Sequence, residues 1–261
     1  MFRNCMRSGF LFLWLMLTAH SAEAKELKVL FSAYTPPYVL VGSEQEQGGD
    51  SSGIVVDIVR EALEGQGYVI NPVFLPIGRG FKMFADGELD ATTIIKKNSG
   101  LKAYYSDVFM QYHNKAITRS NAPFTLSKIE DLKNRSIIGF QLAARYLGPE
   151  FESVVAGNPA YLEIANQERQ AHMLLAGRTD VAVMDESIFR FFQNKLISEG
   201  KVNAEQAVRY NDLFPPSQYR TAFVEQEVRD HFNQGLARLK NNGRYDAIYQ
   251  KYTQDYFKIR P

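Results

Sequence analysis

Apolar and polar residues fall in blocks along this chain, and two of the blocks repeat one phrase. Residues 86–94 read DGELDATTI and residues 176–184 read AGRTDVAVM. In each, a helical stretch closes on a glycine (Gly87, Gly177), two residues lead to an aspartate (Asp90, Asp180), and an apolar run follows. Glycine supplies the positive φ favoured at a helix C-terminus, and the short apolar run predicts a buried strand. Each phrase lies downstream of its own strand-like opener, LKVLFSAY (27–34) and RSIIGFQL (135–142). The pattern predicts two α/β lobes of similar plan with a cleft between them, the kind of place where small molecules bind.

The remaining periodicity fills in the elements. Lys28–Ala33 predicts a strand that ends at Tyr34-Thr35-Pro36-Pro37-Tyr38, where the prolines impose an extended turn. Gly48–Gly53 reads as a flexible loop. Val55, Ile58, Val59, Ala62 and Leu63 share one helical face, and Phe81, Phe84, Ala85 and Leu89 another. Ala116–Thr118 is expected to be the strand leaving the first lobe, with the second lobe beginning near Ser120. There, 129–134 reads as a short helix or turn and Ser136–Phe140 as the opening strand. Ala171, Leu174 and Leu175 mark a helix, Val181–Met184 a strand, and Glu186–Leu196 a helix with Phe189 and Phe192 inward. After Pro215-Pro216, Tyr219–Val224 predicts a strand returning to the first lobe. Two helices close the chain, one carrying Val228, Phe232, Leu236 and Leu239, the other Ile248, Tyr249 and Tyr252. Helices alternating with strands imply sheets covered by helices.

Composition narrows the setting. Arg3 and Arg7, the apolar run Phe10–Leu17 and the small-residue pattern Ala22-Glu23-Ala24 read as a secretory signal peptide over residues 1–24, with cleavage expected after Ala24. The apolar run is far short of the ~20 residues that span a bilayer. Cleavage would remove the single cysteine, Cys5, and the single tryptophan, Trp14, leaving ~237 residues, enough to build a core without disulfides. Without Arg3, Arg7 and Glu23, the 30 basic and 29 acidic residues become 28 and 28. No basic stripe points to nucleic acid. A soluble monomer in the bacterial periplasm is expected.

Several phrases, in order, resemble the extracytoplasmic solute-binding proteins of the polar amino-acid type, solute-binding protein family 3. They are LKVLFSAYTPPYVL, GIVVDIVREAL (53–63), GELDATT, YYSDVF (104–109), IEDLKNRSIIGFQLA, GRTDVAVMD and LKNNGRYDAIYQKY (239–252). The resemblance implies a two-lobed periplasmic-binding-protein fold with two crossover strands and a hinge. Its first lobe would comprise residues 25–118 and 219–261, and its second residues 119–218 including the crossovers. It also implies a ligand held between the lobes, hinge closure, and recognition of the loaded form by an ABC transporter permease.

The candidate ligand-binding residues follow from these phrases. Asp185 ends the strand VAVMD, at the strand end where open α/β sheets bind ligands. The resemblance implies that it pairs with a ligand ammonium, while a helix N-cap is its structural alternative. Gln141, Ala143, Ala144 and Arg145 follow the first strand of the second lobe, where the resemblance implies backbone N–H groups that receive a carboxylate. In the first lobe, relatives place a carboxylate-gripping arginine after the first repeated phrase. This chain reads IIKKNSGLKAYYS (94–106), with Lys96, Lys97 and Lys102 as its only cations. Lys97 or Lys102 would replace the arginine, or the ligand is not a standard α-amino acid. A lysine is a point charge that matches a carboxylate less well than the planar guanidinium fork.

Tyr34 and Tyr38 flank the proline turn and are expected at the cleft wall, with core packing the alternative, more so for Tyr38. Ile77 stands where relatives often carry a stacking aromatic. Arg79 is expected to reach an anion. One of Thr92 and Thr93 should face the cleft, because strand side chains alternate. Tyr161, Glu163 and Gln167 lie near a hinge-side loop. Asp57, Asp90 and Asp180 are expected to be structural. His113, His172 and His231 lack metal-ligand spacing, no catalytic triad order is evident, and no cofactor or metal is expected.

The reading is a binding protein, not an enzyme, for an amino acid or related amine-carboxylate. Two alternatives share the fold: a sensor that reports to a membrane receptor, and an enzyme resembling cyclohexadienyl dehydratase.

Overall fold

The computed structural model describes residues 24–41 and 51–254. The signal peptide reading and most of the glycine loop therefore lie outside the described residues. In chain order the elements are β1 (Lys25–Ser32), α1 (Ile54–Glu64), β2 (Tyr68–Leu75), α2 (Ile77–Ala85), β3 (Ala91–Ile95), β4 (Tyr104–Tyr105), β5 (Met110–Tyr112) and β6 (Asn114–Arg119). Then come β7 (Ile137–Phe140), α3 (Ala143–Leu147), α4 (Pro149–Val155), β8 (Tyr161–Ile164), α5 (Gln167–Leu175), β9 (Val181–Asp185) and α6 (Glu186–Ser198). The chain ends with β10 (Val208–Asn211), β11 (Ser217–Phe223), α7 (Gln226–Asn241) and α8 (Arg244–Thr253). Among the described residues, no helix is long and apolar enough to cross a membrane.

Two sheets organise these elements. The first runs β2-β1-β3-β11-β4, with β5 added to β11; the second runs β10-β6-β9-β7-β8. In each, the opening strand pairs in parallel with two neighbours: β1 with β2 and β3, β7 with β8 and β9. The chain passes between the sheets at His113, between β5 and β6, and again between β10 and β11. The expectation that Ala116–Thr118 belongs to the first lobe is corrected here. β6 pairs antiparallel with β9 and β10 in the second sheet, because Ala116 and Ile117 are fully buried there.

The repeated phrase has one role in both lobes. Gly87 and Gly177 adopt φ of 79° and 72°, which lets the chain reverse out of a helix without a Cβ clash. Each following aspartate then bonds across to the opening strand. Asp90 accepts from the Lys28 N–H at 2.7 Å, and Asp180 from the Ser136 N–H at 3.0 Å and its hydroxyl at 2.8 Å.

The predicted helical faces form the cores. Val55, Ile58, Val59, Ala62 and Leu63 of α1 are fully buried. They pack against α7, whose Val228, Phe232, Leu236 and Leu239 are also buried. Asp57 does not cap its helix; its carboxylate accepts from the Tyr252 hydroxyl at 2.6 Å and Lys251 Nζ at 3.0 Å, tying α8 to α1. Both ends of the described chain thus build the first sheet's helical layer. Gly235 sets how closely α1 and α7 approach, because a Cβ there would lie 2.0 Å from the Ala62 carbonyl oxygen.

Gly235→Ala should therefore destabilise the protein by about 1–3 kcal/mol or more through overpacking against backbone. Gly65→Ala is the control, since its added Cβ meets only the Arg238 guanidinium end, which can move aside. Urea unfolding followed by circular dichroism should show the loss in the first variant and a much smaller change in the second.

Candidate functional site

Asp185, at the junction of β9 and α6, is 2% exposed. Its carboxylate accepts the Ser187 and Ile188 N–H groups at 2.9 and 3.2 Å, which caps α6. It also accepts the His113 N–H at 2.8 Å, from the crossing between the sheets, and the Tyr38 hydroxyl at 3.3 Å, from the first lobe. Cap and cleft-edge readings hold at one residue, since Asp185 also lines the cavity between the lobes. Burial raises its pKa to about 6, the four hydrogen bonds opposing that rise.

A series of tyrosine rings leads away from this carboxylate. Tyr38 stacks on Tyr112 with centroids 4.1 Å apart. Tyr112 meets Tyr219 edge-on at 5.1 Å, and Tyr219 lies 5.9 Å from Tyr146. Burial pushes the hydroxyl pKa of Tyr38, Tyr112, Tyr146 and Tyr219 upward, so all four stay neutral. At the far end lies Lys96. Its Nζ sits 5.7 Å from the centre of the Tyr146 ring and 5.6 Å from that of Tyr219. It donates to the Tyr146 carbonyl and, at 3.3 Å, to the Ser217 hydroxyl. Burial lowers its pKa, and no carboxylate among the described residues pairs with it. The Tyr146 hydroxyl is itself buried without a hydrogen-bond partner.

The cavity leaves about 70 Å³ open to the centres of water-sized atoms. Tyr112, Asn114, Tyr146 and Tyr219 line it beside Asp185, with Ile77, Ile94, Phe140, Gln141, Gln167 and Ile188 among the other wall residues.

The structure separates the other sequence candidates. Ile77 and Gln141 line the cavity, and the Gln141 side-chain oxygen accepts the Gly78 N–H at 3.2 Å across the cleft. Tyr38 is buried behind the wall, whereas Tyr34 is 39% exposed and packs edge-on against Phe191 and Phe192 of the opposite lobe. Lys97, Lys102 and Arg79 are exposed and, like the half-buried Lys96, do not line the cavity. The cation nearest the tyrosines is Lys96, because β3 ends at Ile95 and the short turn Lys97–Ser99 directs the following residues to the surface.

Neither threonine faces the cleft. Thr93 donates to the Leu30 carbonyl at 2.9 Å, and Thr92 is buried with its hydroxyl unpartnered. The strict alternation of β3 fails because Ile94 adopts φ 54° and a bulge interrupts the pairing with β11; Ile94 lines the cavity instead.

The loop after β7 is also corrected. The Leu142 and Ala144 N–H groups do not wait for a ligand carboxylate. Glu163 takes both, at 2.7 and 2.8 Å, and also accepts the Tyr161 hydroxyl at 2.6 Å. Parallel pairing sets Glu163 opposite Gly139, within reach of that loop. Ala143 is buried in the second lobe's core. Arg145 donates to the Asn98 and Ser99 carbonyls at 3.2 and 2.5 Å, a bridge from the second lobe to the first.

Sequence reasoning missed Tyr112, Asn114, Tyr146 and Tyr219. Three flank the crossings between the sheets. A signal was present in the short segments around His113 and Pro215-Pro216, which must be the chain's passages between lobes.

The profile of the bacterial extracellular solute-binding proteins, family 3, matches residues 27–255. No curated protein matches the sequence. Among solved structures, an ancestral arginine-binding protein bound to glutamine is 20% identical, with a TM-score of 0.69 over 87% of this chain and 97% of that one. A histidine kinase sensor domain similar to periplasmic binding proteins is 18% identical, with a TM-score of 0.72 over 88% and 96%. An amino acid ABC transporter substrate-binding protein from Streptococcus pneumoniae, bound to L-arginine, is 14% identical, with a TM-score of 0.68 over 89% and 94%.

The lobes touch through Arg145, Gln141 and Tyr34, so the structure is a closed form. Arg145→Ala should loosen it: small-angle X-ray scattering of the unliganded variant should give a larger radius of gyration than the wild type, with unchanged circular dichroism.

Proposed function

The chain belongs to the bacterial extracellular solute-binding proteins, family 3, and from that premise we propose that it captures an amine-carboxylate solute, such as an α-amino acid, between its lobes. It then delivers the solute to an ABC transporter from the periplasm, without changing it chemically. The observation that carries the reading is the pair of opposite charges at the two ends of the tyrosine series. Asp185 is a buried carboxylate without a cation, and Lys96 is a half-buried cation without a carboxylate.

The ligand ammonium meets Asp185 by replacing its longest bond, the one from the Tyr38 hydroxyl at 3.3 Å, and burial from water strengthens the new charge-assisted bond. The ligand carboxylate meets the unpartnered Tyr146 hydroxyl on the cavity wall, and Lys96, which lies outside the wall against the Tyr146 and Tyr219 rings, turns in to it. Lys96 thus takes the role assigned by the resemblance to the missing arginine, while the backbone donors of the second lobe are held by Glu163. A sensor for a membrane receptor would use the same site, and the likeness to the kinase sensor domain supports that second reading. Uptake of labelled ligand by cells, lost on deletion of the gene and restored by the wild-type protein, supports transport; unchanged uptake supports sensing.

Lys96→Met keeps the apolar stem and removes the charge. Isothermal titration should show amino-acid affinity falling tenfold or more, with the melting temperature of the unliganded protein within a few degrees of wild type. An unchanged affinity would sink the role of Lys96.

The raised pKa of Asp185 gives a pH dependence. In the unliganded protein, ionisation above about pH 6 is opposed by burial, so this group favours the folded state at low pH and that contribution is lost as pH rises through 6. Ligand binding runs the other way, because the ammonium needs the ionised form. Affinity at pH 5 should be up to about tenfold weaker than at pH 7.5, and Asp185→Asn should be weak at both.

A further inference from the structure

We propose that the cleft selects a ligand whose side chain is short, aliphatic and uncharged. This rests on the amine-carboxylate reading above and names the substrate class for the same site. Beyond the groups assigned to the ammonium and carboxylate, the cavity wall is largely apolar: Ala33, Ile77 and Ile94 from the first lobe, Phe140, Ala165 and Ile188 from the second.

Asp185 is the one charged residue among those lining the cavity. Outside the wall, Lys96 is assigned to the ligand carboxylate, Glu163 is held by two backbone N–H groups and a tyrosine hydroxyl, and Arg145 by two carbonyls. A second charge on the ligand would therefore be buried without a counter-charge, which costs far more than placing a methyl group there. Ser32, Thr35, Asn114, Gln141 and Gln167 provide polarity, not charge.

Size points the same way. The cavity is small, about 70 Å³ against the ~150 Å³ of an engineered cavity that holds benzene, so it favours a short side chain. Ile94 narrows the space from a strained position. It is β-branched at φ 54°, a conformation uncommon for such residues.

The test is a titration series on the full mature protein with L-alanine, L-valine, L-arginine and L-glutamate. Wild type should bind the aliphatic pair at least tenfold tighter than the charged pair. Ile77→Asp places a carboxylate in the wall, at the first turn of α2, where an acid suits the helix dipole. It should gain tenfold or more in arginine affinity and lose affinity for valine. Ile94→Gly should move the preference towards longer aliphatic side chains, with L-leucine as the probe.

Tighter binding of arginine or glutamate by wild type overturns the selectivity and leaves the amine-carboxylate reading standing. So does an Ile77→Asp protein that binds alanine but gains nothing for arginine. Failure of every α-amino acid to bind the folded wild type overturns the underlying reading, and the selectivity with it.

Discussion

One buried carboxylate holds the geometry of this protein together. Asp185 is bonded to the start of α6, to the backbone at His113, and to Tyr38 of the first lobe. A carboxylate has about four lone-pair sites, and here four donors from three parts of the chain converge on them. Removing such a group from water is costly unless its acceptors are satisfied. That constraint fixes the relation between the second sheet, the crossing strand and the proline turn. The same four donors do not neutralise its charge, and burial still raises its pKa. Its longest bond, from the Tyr38 hydroxyl at 3.3 Å, is the one that a cationic ligand group would replace.

The tyrosines convert that local constraint into a cleft. Their rings bury large apolar faces while keeping a polar edge, so they bridge the lobes near both crossings without adding charge. They also separate Asp185 from Lys96, so neither ion neutralises the other. Glu163 completes the division of labour. By taking the Leu142 and Ala144 N–H groups, it removes the backbone donors on the second lobe and leaves the first lobe's lysine as the cationic end. The contacts of Arg145 and Tyr34 hold the lobes together across the cleft, while Gln141 both bridges the lobes and lines the cavity.

Much of the fold was legible from residue order. The glycine–aspartate phrases placed two helix-to-strand turns, and the 3.6-residue spacing of Val55–Leu63 and Val228–Leu239 found the faces that pack together. Side-chain direction at the site was less legible. Alternation predicted a threonine in the cleft, but Ile94's positive φ and the bulge beside it turned the strand by one residue. The three lysines at 96, 97 and 102 look equivalent in sequence; only the end of β3 distinguishes the half-buried one from its exposed neighbours. Glu163 and Gly139 are 24 positions apart, and only parallel pairing of β7 with β8 brings that carboxylate to the loop. Such long-range placements leave no local periodicity to read.

A crystal structure with the tightest-binding amino acid tests the central claim most directly. The account predicts the ligand carboxylate within about 2.7–3.2 Å of Lys96 Nζ, its ammonium on Asp185, and Glu163 still bonded to the Leu142 and Ala144 N–H groups. A ligand carboxylate seated on those two N–H groups, with Glu163 displaced and Lys96 untouched, would contradict it.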